Sequence, residues 1–396
     1  MVENRRPTDT ELLLLSVPFE VTDRERSDSF TELLKSGLDW SCLEEKLINC
    51  RLYGFFLRNA NNANVSHLIP GHIREHFSAL MKKDLVNNLL YLEEFKELAG
   101  IFKKNSIDFI VLKGMALYFT VYATSRFRFM FDIDLLVRET QYEEAKRVLG
   151  YKDQEGLPRA PQDFDVFQQF GYIKNTKLKQ VQIDIHRALI KGARYGYFKQ
   201  ENLWRDSMLL EAGTLTMRIL SPETQLMHLC ANLVKNIHSK QSYLVSFCDI
   251  VETIRFYDKD FKWESFIKLL REERVEREIY SVLSWLCKKR FIRLPAIMEE
   301  RLKPFFRWDI LEERDIFGFK EYSDTKFRWH LISNVPGLIG KAHLIYNYIF
   351  PSRQELKAAY PNIHSGIIYF CYWYRIIRRI FRIIGFSICK LFYVAR

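Results

Sequence analysis

After Pro70 the chain runs GHIREHFSALMKKDLVNNLLYLEEFKELAGIFKKN, where Leu85, Leu89, Leu92, Phe95, Ala99 and Phe102 recur at three- and four-residue steps. That spacing predicts one long amphipathic helix, with this stripe in the core and Lys and Glu on the opposite face. Residues 1–106 as a whole read as helical. The period then changes. Ile107–Lys113 (IDFIVLK) is a short apolar, β-branched run ended by Gly114, the pattern of a buried strand. Phe131–Val137 (FDIDLLV) is a second such run, with Phe131, Ile133 and Leu135 expected in the core. Thr140, Glu143 three residues later and Gly150 beyond predict a capping box, a helix of about ten residues and a glycine stop. Gln180–His186 (QVQIDIH) alternates Val181, Ile183 and Ile185 with polar neighbours, a strand with one exposed face.

Helix returns at Ser221, which suits an N-cap, followed by Pro222 at the first helical position and a stripe of Leu226, Leu229, Leu233 and Ile237. Helical periodicity dominates through about residue 300. Residues 301–360 are mixed, with turn signals at Asn334-Val335-Pro336-Gly337 and Pro351-Ser352. The expected organisation is therefore α+β: a helical N-terminal region (1–106), an α/β core (107–215), a helical C-terminal domain (216–360) and a basic amphipathic helix (361–396).

Composition narrows this picture. Aromatics make up 15% of the 396 residues, with only 16 glycines, which favours packed helices over a glycine-rich all-β protein. The seven cysteines (Cys42, Cys50, Cys230, Cys248, Cys287, Cys371, Cys389) are scattered and contain no Cys-x-x-Cys pair. That argues against a zinc site or a disulfide framework, and for a reducing cytosol. The N-terminus, MVENRRPTDTELLLLSV, has too short an apolar run for a signal peptide.

The formal charge of +11 attracts anions without naming one. Its densest cluster, Arg375, Arg378, Arg379 and Arg382, lies at i, i+3, i+4 and i+7 among isoleucines in GIIYFCYWYRIIRRIFRIIGFSICKLFYVAR. Four mid-segment arginines cost a membrane span about 2.5–3.5 kcal/mol each. The segment suits a helix lying on an anionic membrane surface, or one packed on the protein body with its basic face outward. Either fits better than specific nucleic-acid binding, which calls for basic residues that track phosphates. The localisation expected is cytoplasmic, with membrane association through this helix left open.

The candidate chemistry lies in the second strand. Asp132 and Asp134, two apart on a strand, point to one face with Cα atoms roughly 7 Å apart. Two like charges held side by side repel, and a divalent cation gives a reason to keep them; Mg²⁺ takes a few carboxylate oxygens plus water and phosphate. Asp184 on the later alternating strand offers a third carboxylate. Lys113-Gly114 sits where a strand ends and a helix or loop begins, a place to hold phosphate. Arg126 and Arg128 precede the acidic pair and suit phosphate charge. His186, on the same strand face as Asp184, suits either orienting that carboxylate or contacting substrate. His228 and His238 read as structural.

The run VLKGMALYF…YATSRFRFMFDIDLLV, then Gly150-Tyr151 and QIDIHRAL, resembles the family described as uncharacterised nucleotidyltransferases, within the broad DNA polymerase β-like nucleotidyltransferase superfamily. Gly114, Asp132, Asp134 and Asp184 match the superfamily's glycine turn, Asp-x-Asp and third acid in order. Lys113, Arg128 and His186 match the narrower family. PETQLMHLCANLVKNIHS…FCDI and YIFPSRQELKAAYP resemble its helical C-terminal portion, so the likeness spans most of the chain. Two departures stand out: Gly114-Met115 replaces Gly-Ser or Gly-Gly, and seventeen residues separate Gly114 from Asp132.

The resemblance implies a nucleotidyltransferase-type mixed sheet. It also implies a Mg²⁺ (or Mn²⁺) dependent enzyme moving a nucleotidyl group from an NTP to an unidentified acceptor hydroxyl by a two-metal mechanism. Asp132, Asp134 and Asp184 are then the catalytic and metal-binding acids. Lys113, Gly114, Arg126, Arg128 and His186 are the residues expected at the nucleotide. The Gly114-Met115 departure keeps a second reading open, a noncatalytic nucleotide-binding or regulatory protein on the same fold.

Overall fold

In the computed structural model the described residues are 5–125, 127–150, 169–175, 180–189, 200–213, 215–238, 244–273 and 275–303. Five helices come first: α1 (Asp9–Ser16), α2 (Arg24–Lys35), α3 (Trp40–Asn49), α4 (Tyr53–Asn62) and the long α5 (Gly71–Lys104). The mixed core follows as β1 (Phe109–Val111), α6 (Lys113–Phe119), β2 (Ile133–Val137), α7 (Tyr142–Val148), β3 (Gln169–Asn175), β4 (Gln180–His186), α8 (Gln200–Asp206), β5 (Met208–Ala212) and β6 (Leu215–Ile219). Four longer helices, α9 (Pro222–His238), α10 (Leu244–Phe256), α11 (Trp263–Glu272) and α12 (Glu276–Lys288), and the short α13 (Ala296–Leu302) close the described part. The fold is α+β, as expected.

The sheet has strand order β3-β4-β2-β1-β6-β5. β1 pairs antiparallel with β2 and parallel with β6, while β2 pairs parallel with β4. β1 and β2 carry an almost unbroken apolar run, and β2 is buried along its whole length, so both of its faces are covered. Ile110, Val111, Ile133, Leu135, Leu136 and Val137 are all buried. The register sets Asp134 directly opposite Asp184.

The N-terminal and C-terminal helices share one hydrophobic core, in which Leu13, Phe30, Phe56 and Phe77 belong to the same cluster as Phe247, Ile250, Phe266 and Leu283. Polar ties cross the same join. Arg58 Nη1 lies 2.6 Å from Glu252 Oε2, and Arg255 Nη1 donates to the Pro18 carbonyl at 2.5 Å. At the helix starts the sequence chemistry is partly realised. Ser221 Oγ accepts from the Thr224 N–H at 3.3 Å with Pro222 as the first residue of α9.

Three expectations are corrected. The buried face of α5 runs through Asp84, Asn88, Tyr91, Phe95, Leu98 and Phe102, whereas Leu85 and Leu89 are 42% and 48% exposed. The polar residues on that face have partners: the Tyr53 hydroxyl donates to Asp84 Oδ2, and Asn88 and Tyr91 hold backbone groups described below. Thr140 does not cap α7; it lies in a 3₁₀ turn (Glu139–Gln141), the helix begins at Tyr142 without a side-chain cap, and Glu143 pairs with Lys146 instead. Gly150, with φ +64°, does end it. Phe131 is 44% exposed rather than core, because β2 starts only at Ile133. Residues 304–396, including the basic C-terminal segment, and Arg126 lie outside the described residues. Among the described residues no helix is long and apolar enough to cross a membrane.

Candidate active site

The strand order brings the expected acids to one end of the sheet. β1 delivers its C-terminal end beside the N-terminal end of β2, fixed by the Leu112 N–H donating to the Asp134 carbonyl at 3.0 Å. β4, parallel to β2, puts Asp184 and His186 on the neighbouring strand. The alternation read from the sequence holds on β4, with Val181, Ile183 and Ile185 buried, but the other face is no solvent face. Gln182 is exposed, while Asp184 and His186 are buried.

Asp134 is the hub. Its Oδ1 lies 2.5 Å from Lys113 Nζ and accepts from His186 Nε2 at 2.7 Å, while its buried Oδ2 has no hydrogen-bond partner among the described residues. Burial alone would raise the Asp134 pKa, but the Lys113 ammonium and the His186 hydrogen bond outweigh it and hold the carboxyl well below the usual range. Asp132, half-buried just ahead of β2, behaves oppositely: burial first, then repulsion from Asp134, push its pKa up to about 8, against the pull of Lys113. Burial and the nearby Lys113 charge lower the His186 pKa, against the pull of Asp134 and Asp184. For Lys113, burial is opposed and overcome by Asp134, Asp132 and Asp184, which keep the ammonium protonated. Pushing neighbouring carboxylates apart in pKa in this way is a mark of functional sites.

Lys113 is also a backbone outlier. Its φ of +47° is left-handed, a conformation that costs a non-glycine residue on the order of 1 kcal/mol. It stands at the turn from β1 into α6, where it sends its side chain to Asp134. The adjacent Gly114 is buried, yet a Cβ there would meet no atom within 4 Å outside its own helix, so packing does not demand glycine. Met115 is buried too.

Asp134, Asp184 and His186 present donor atoms that all lie within 4.8 Å of one another, a buried group compatible with a metal ion. Gln182 Nε2 donates to Asp184 Oδ1 at 3.2 Å.

Arg128 lies near enough to Asp132 to feel its charge, but its guanidinium is engaged elsewhere. It is buried, and its guanidinium grips Asp249 on α10, with Nε 3.0 Å from Oδ1 and Nη2 2.8 Å from Oδ2. The Tyr122 hydroxyl donates to the same carboxylate at 2.9 Å. Arg128 instead anchors the extended arm 127–131 that carries the chain into Asp132.

Sequence reasoning missed the rest of that anchorage. Asn88 Nδ2 donates to the Arg128 carbonyl at 2.9 Å and its Oδ1 accepts from the Met130 N–H at 3.0 Å; Tyr91 donates to the Phe131 carbonyl at 2.6 Å. The Arg51 guanidinium stacks 4.6 Å over the Phe129 ring. Gly54 lets α4 approach closely, since a Cβ there would stand 3.3 Å from Phe127 Cδ2. Two signals were available: Asn88 in a helix of Leu, Lys and Glu, and the lone acid Asp249 inside the apolar run SFCDIV.

No curated protein and no solved structure matches the chain. The chain matches a family model described as "Uncharacterised nucleotidyltransferase" over residues 36–291. That match spans well over half of the chain, and the protein belongs to the uncharacterised nucleotidyltransferase family.

Proposed function

We propose that the protein is a divalent-metal-dependent nucleotidyltransferase acting on an NTP and an acceptor hydroxyl. The observation that carries this reading is the convergence of Asp132, Asp134 and Asp184 at one sheet end, near enough for their charges to act on one another, with a buried oxygen on Asp134 that no close hydrogen bond satisfies. Uncompensated buried carboxylate oxygens are costly, and a cation removes the cost. The donor set fits Mg²⁺ or Mn²⁺, which accept carboxylate oxygens together with phosphate. When bound, such ions neutralise triphosphate charge and stabilise the leaving pyrophosphate.

The chain's own residues do the remainder. Asp132 and Asp134 hold the ions, and Asp184 completes the second metal site. Asp184 orients the acceptor hydroxyl and takes its proton as the acceptor oxygen bonds to the α-phosphorus and the α–β phosphoanhydride bond breaks. Lys113 and the Gly114 backbone are suited to phosphate oxygens, and Arg126 is kept as a phosphate contact from its sequence position. Arg128 serves the same reaction indirectly, by fixing the arm before Asp132.

The buried Met115 in place of a serine favours the second reading, a noncatalytic nucleotide-binding or regulatory protein. Transfer of radiolabel from each α-labelled NTP to cellular acceptors, with Mg²⁺ or Mn²⁺, separates the two. The wild-type chain should label an acceptor and Asp132→Asn should not. Equal labelling by both, or NTP binding with no labelling by either, would overturn the catalytic reading.

A further inference from the structure

His186 has no role in the scheme above beyond its contact with Asp134, yet it is the residue that sets this site apart from an all-carboxylate one. It is buried, two residues along β4 from Asp184 and on the same strand face. Its Nε2, one Asp134 oxygen and one Asp184 oxygen form a mutually close trio within 4.8 Å. The Nε2–Oδ1 separation of 2.7 Å is short enough for neighbouring ligands of one ion, since two ligands at right angles and about 2.1 Å from a metal stand about 3 Å apart. The Lys113 ammonium, 2.5 Å from the same Oδ1, marks a position where positive charge is already drawn in. Asp134 Oδ2, buried and without a partner among the described residues, remains for a second contact.

We propose that His186 is a direct metal ligand alongside Asp134 and Asp184, and that the site therefore takes a nitrogen-accepting ion of the Mn²⁺ class in preference to Mg²⁺. The inference rests on the metal-dependent reading above and sharpens it. Oxygen-only sites suit Mg²⁺, whereas an imidazole donor shifts a site toward transition ions. Proton accounting is simple. A neutral ring carries one N–H, at Nε2 where it donates to Asp134; coordination through Nε2 places that proton on Nδ1 with no net release.

Affinity alone does not test this, because losing a hydrogen bond to a metal-binding carboxylate also weakens binding by about 10–100-fold. The ligand atom has to be seen. The full-length chain is loaded with Mn²⁺ alone, binding is followed by electron paramagnetic resonance, and the bound ion is examined by electron spin echo modulation for ¹⁴N coupling. The wild type should bind Mn²⁺ at least about tenfold more tightly than Mg²⁺ and show imidazole nitrogen modulation. His186→Gln should lose that modulation, Asp134→Asn should lose the ion, and His76→Ala, at an exposed histidine paired with Glu44, should keep both. Mn²⁺ bound without nitrogen coupling in the wild type overturns the inference and leaves the metal-dependent reading standing. So does nitrogen-coupled Mn²⁺ that survives Asp134→Asn or His186→Gln. No Mn²⁺ binding by the wild type overturns both.

Discussion

Arg128 and Asp249, 121 residues apart in sequence, form a buried bidentate ion pair that ties the arm before Asp132 to helix α10. Planar guanidinium against planar carboxylate fixes direction as well as distance, and Tyr122 holds the carboxylate from another side. Removing one partner leaves an uncompensated charge. Asp249→Ala should lower the unfolding free energy by about 3–5 kcal/mol in urea denaturation, and Arg128→Met with Asp249→Leu together should recover much of that loss. A loss below about 1 kcal/mol for Asp249→Ala would mean that the pair does not hold the arm.

How much of this was legible in the sequence depends on the kind of contact. Period-two alternation placed β4 at Gln180–His186 to the residue, because Val181, Ile183 and Ile185 have one neighbour type on each side. The placement of Asp184 and His186 on one face of β4 was legible for the same reason. The arm was not. FDIDLLV reads as a strand from its first residue, so Phe131 reads as core. The arm's conformation, however, is set by Asn88, Tyr91 and Asp249, each distant in sequence and none apolar. Helix α5 misled in the same way: a count of hydrophobic residues cannot see a face buried through Asp84, Asn88 and Tyr91, whose polar atoms are satisfied by other segments.

Asn88 and its neighbour in sequence make this a direct comparison. Asn88→Ala strands two buried backbone groups, the Arg128 carbonyl and the Met130 N–H, and should cost about 1–3 kcal/mol. Leu89→Ala, at a residue about half exposed, should change stability by no more than about 0.5 kcal/mol. Chemical denaturation of both variants checks the order. If Leu89→Ala were the more damaging, the buried face of α5 would be the one read from the apolar stripe.

The carboxyl of Asp132, pushed up to about 8 by burial and by Asp134, makes the metal-free protein pH-sensitive. Between the unfolded value near 4 and about 8, the folded state holds the extra proton, so stability falls as pH rises through that window. His186 acts in the opposite sense, its lowered pKa adding stability with rising pH, but only up to its unfolded value of about 6.5. The unopposed window is therefore pH 6.5 to 8, with a slope of at most about 1.4 kcal/mol per pH unit. In a chelating buffer the melting temperature should drop across this window. Asp132→Asn, which mimics the protonated acid, should flatten the drop, and so should saturating Mn²⁺. A wild-type profile that is flat in chelator would remove the coupling between Asp132 and Asp134.

Lys113 faces two demands that a single substitution can separate. Its ammonium compensates Asp134, Asp132 and Asp184 when no ion is bound, and it also stands at the turn beside Gly114 where phosphate oxygens are expected. Lys113→Met keeps much of the stem and removes the charge. The metal-free protein should then be less stable, because three neighbouring carboxylates lose their cation. Mn²⁺ should bind severalfold more tightly, because no ammonium competes for Asp134 Oδ1. The phosphate role predicts the reverse for the nucleotide, with KM rising by about tenfold or more, the equivalent of about 1.4 kcal/mol. Calorimetric titration with Mn²⁺ and steady-state kinetics with NTP read the two effects independently. Tighter metal binding with an unchanged KM would confine Lys113 to the carboxylates and assign the phosphate grip elsewhere.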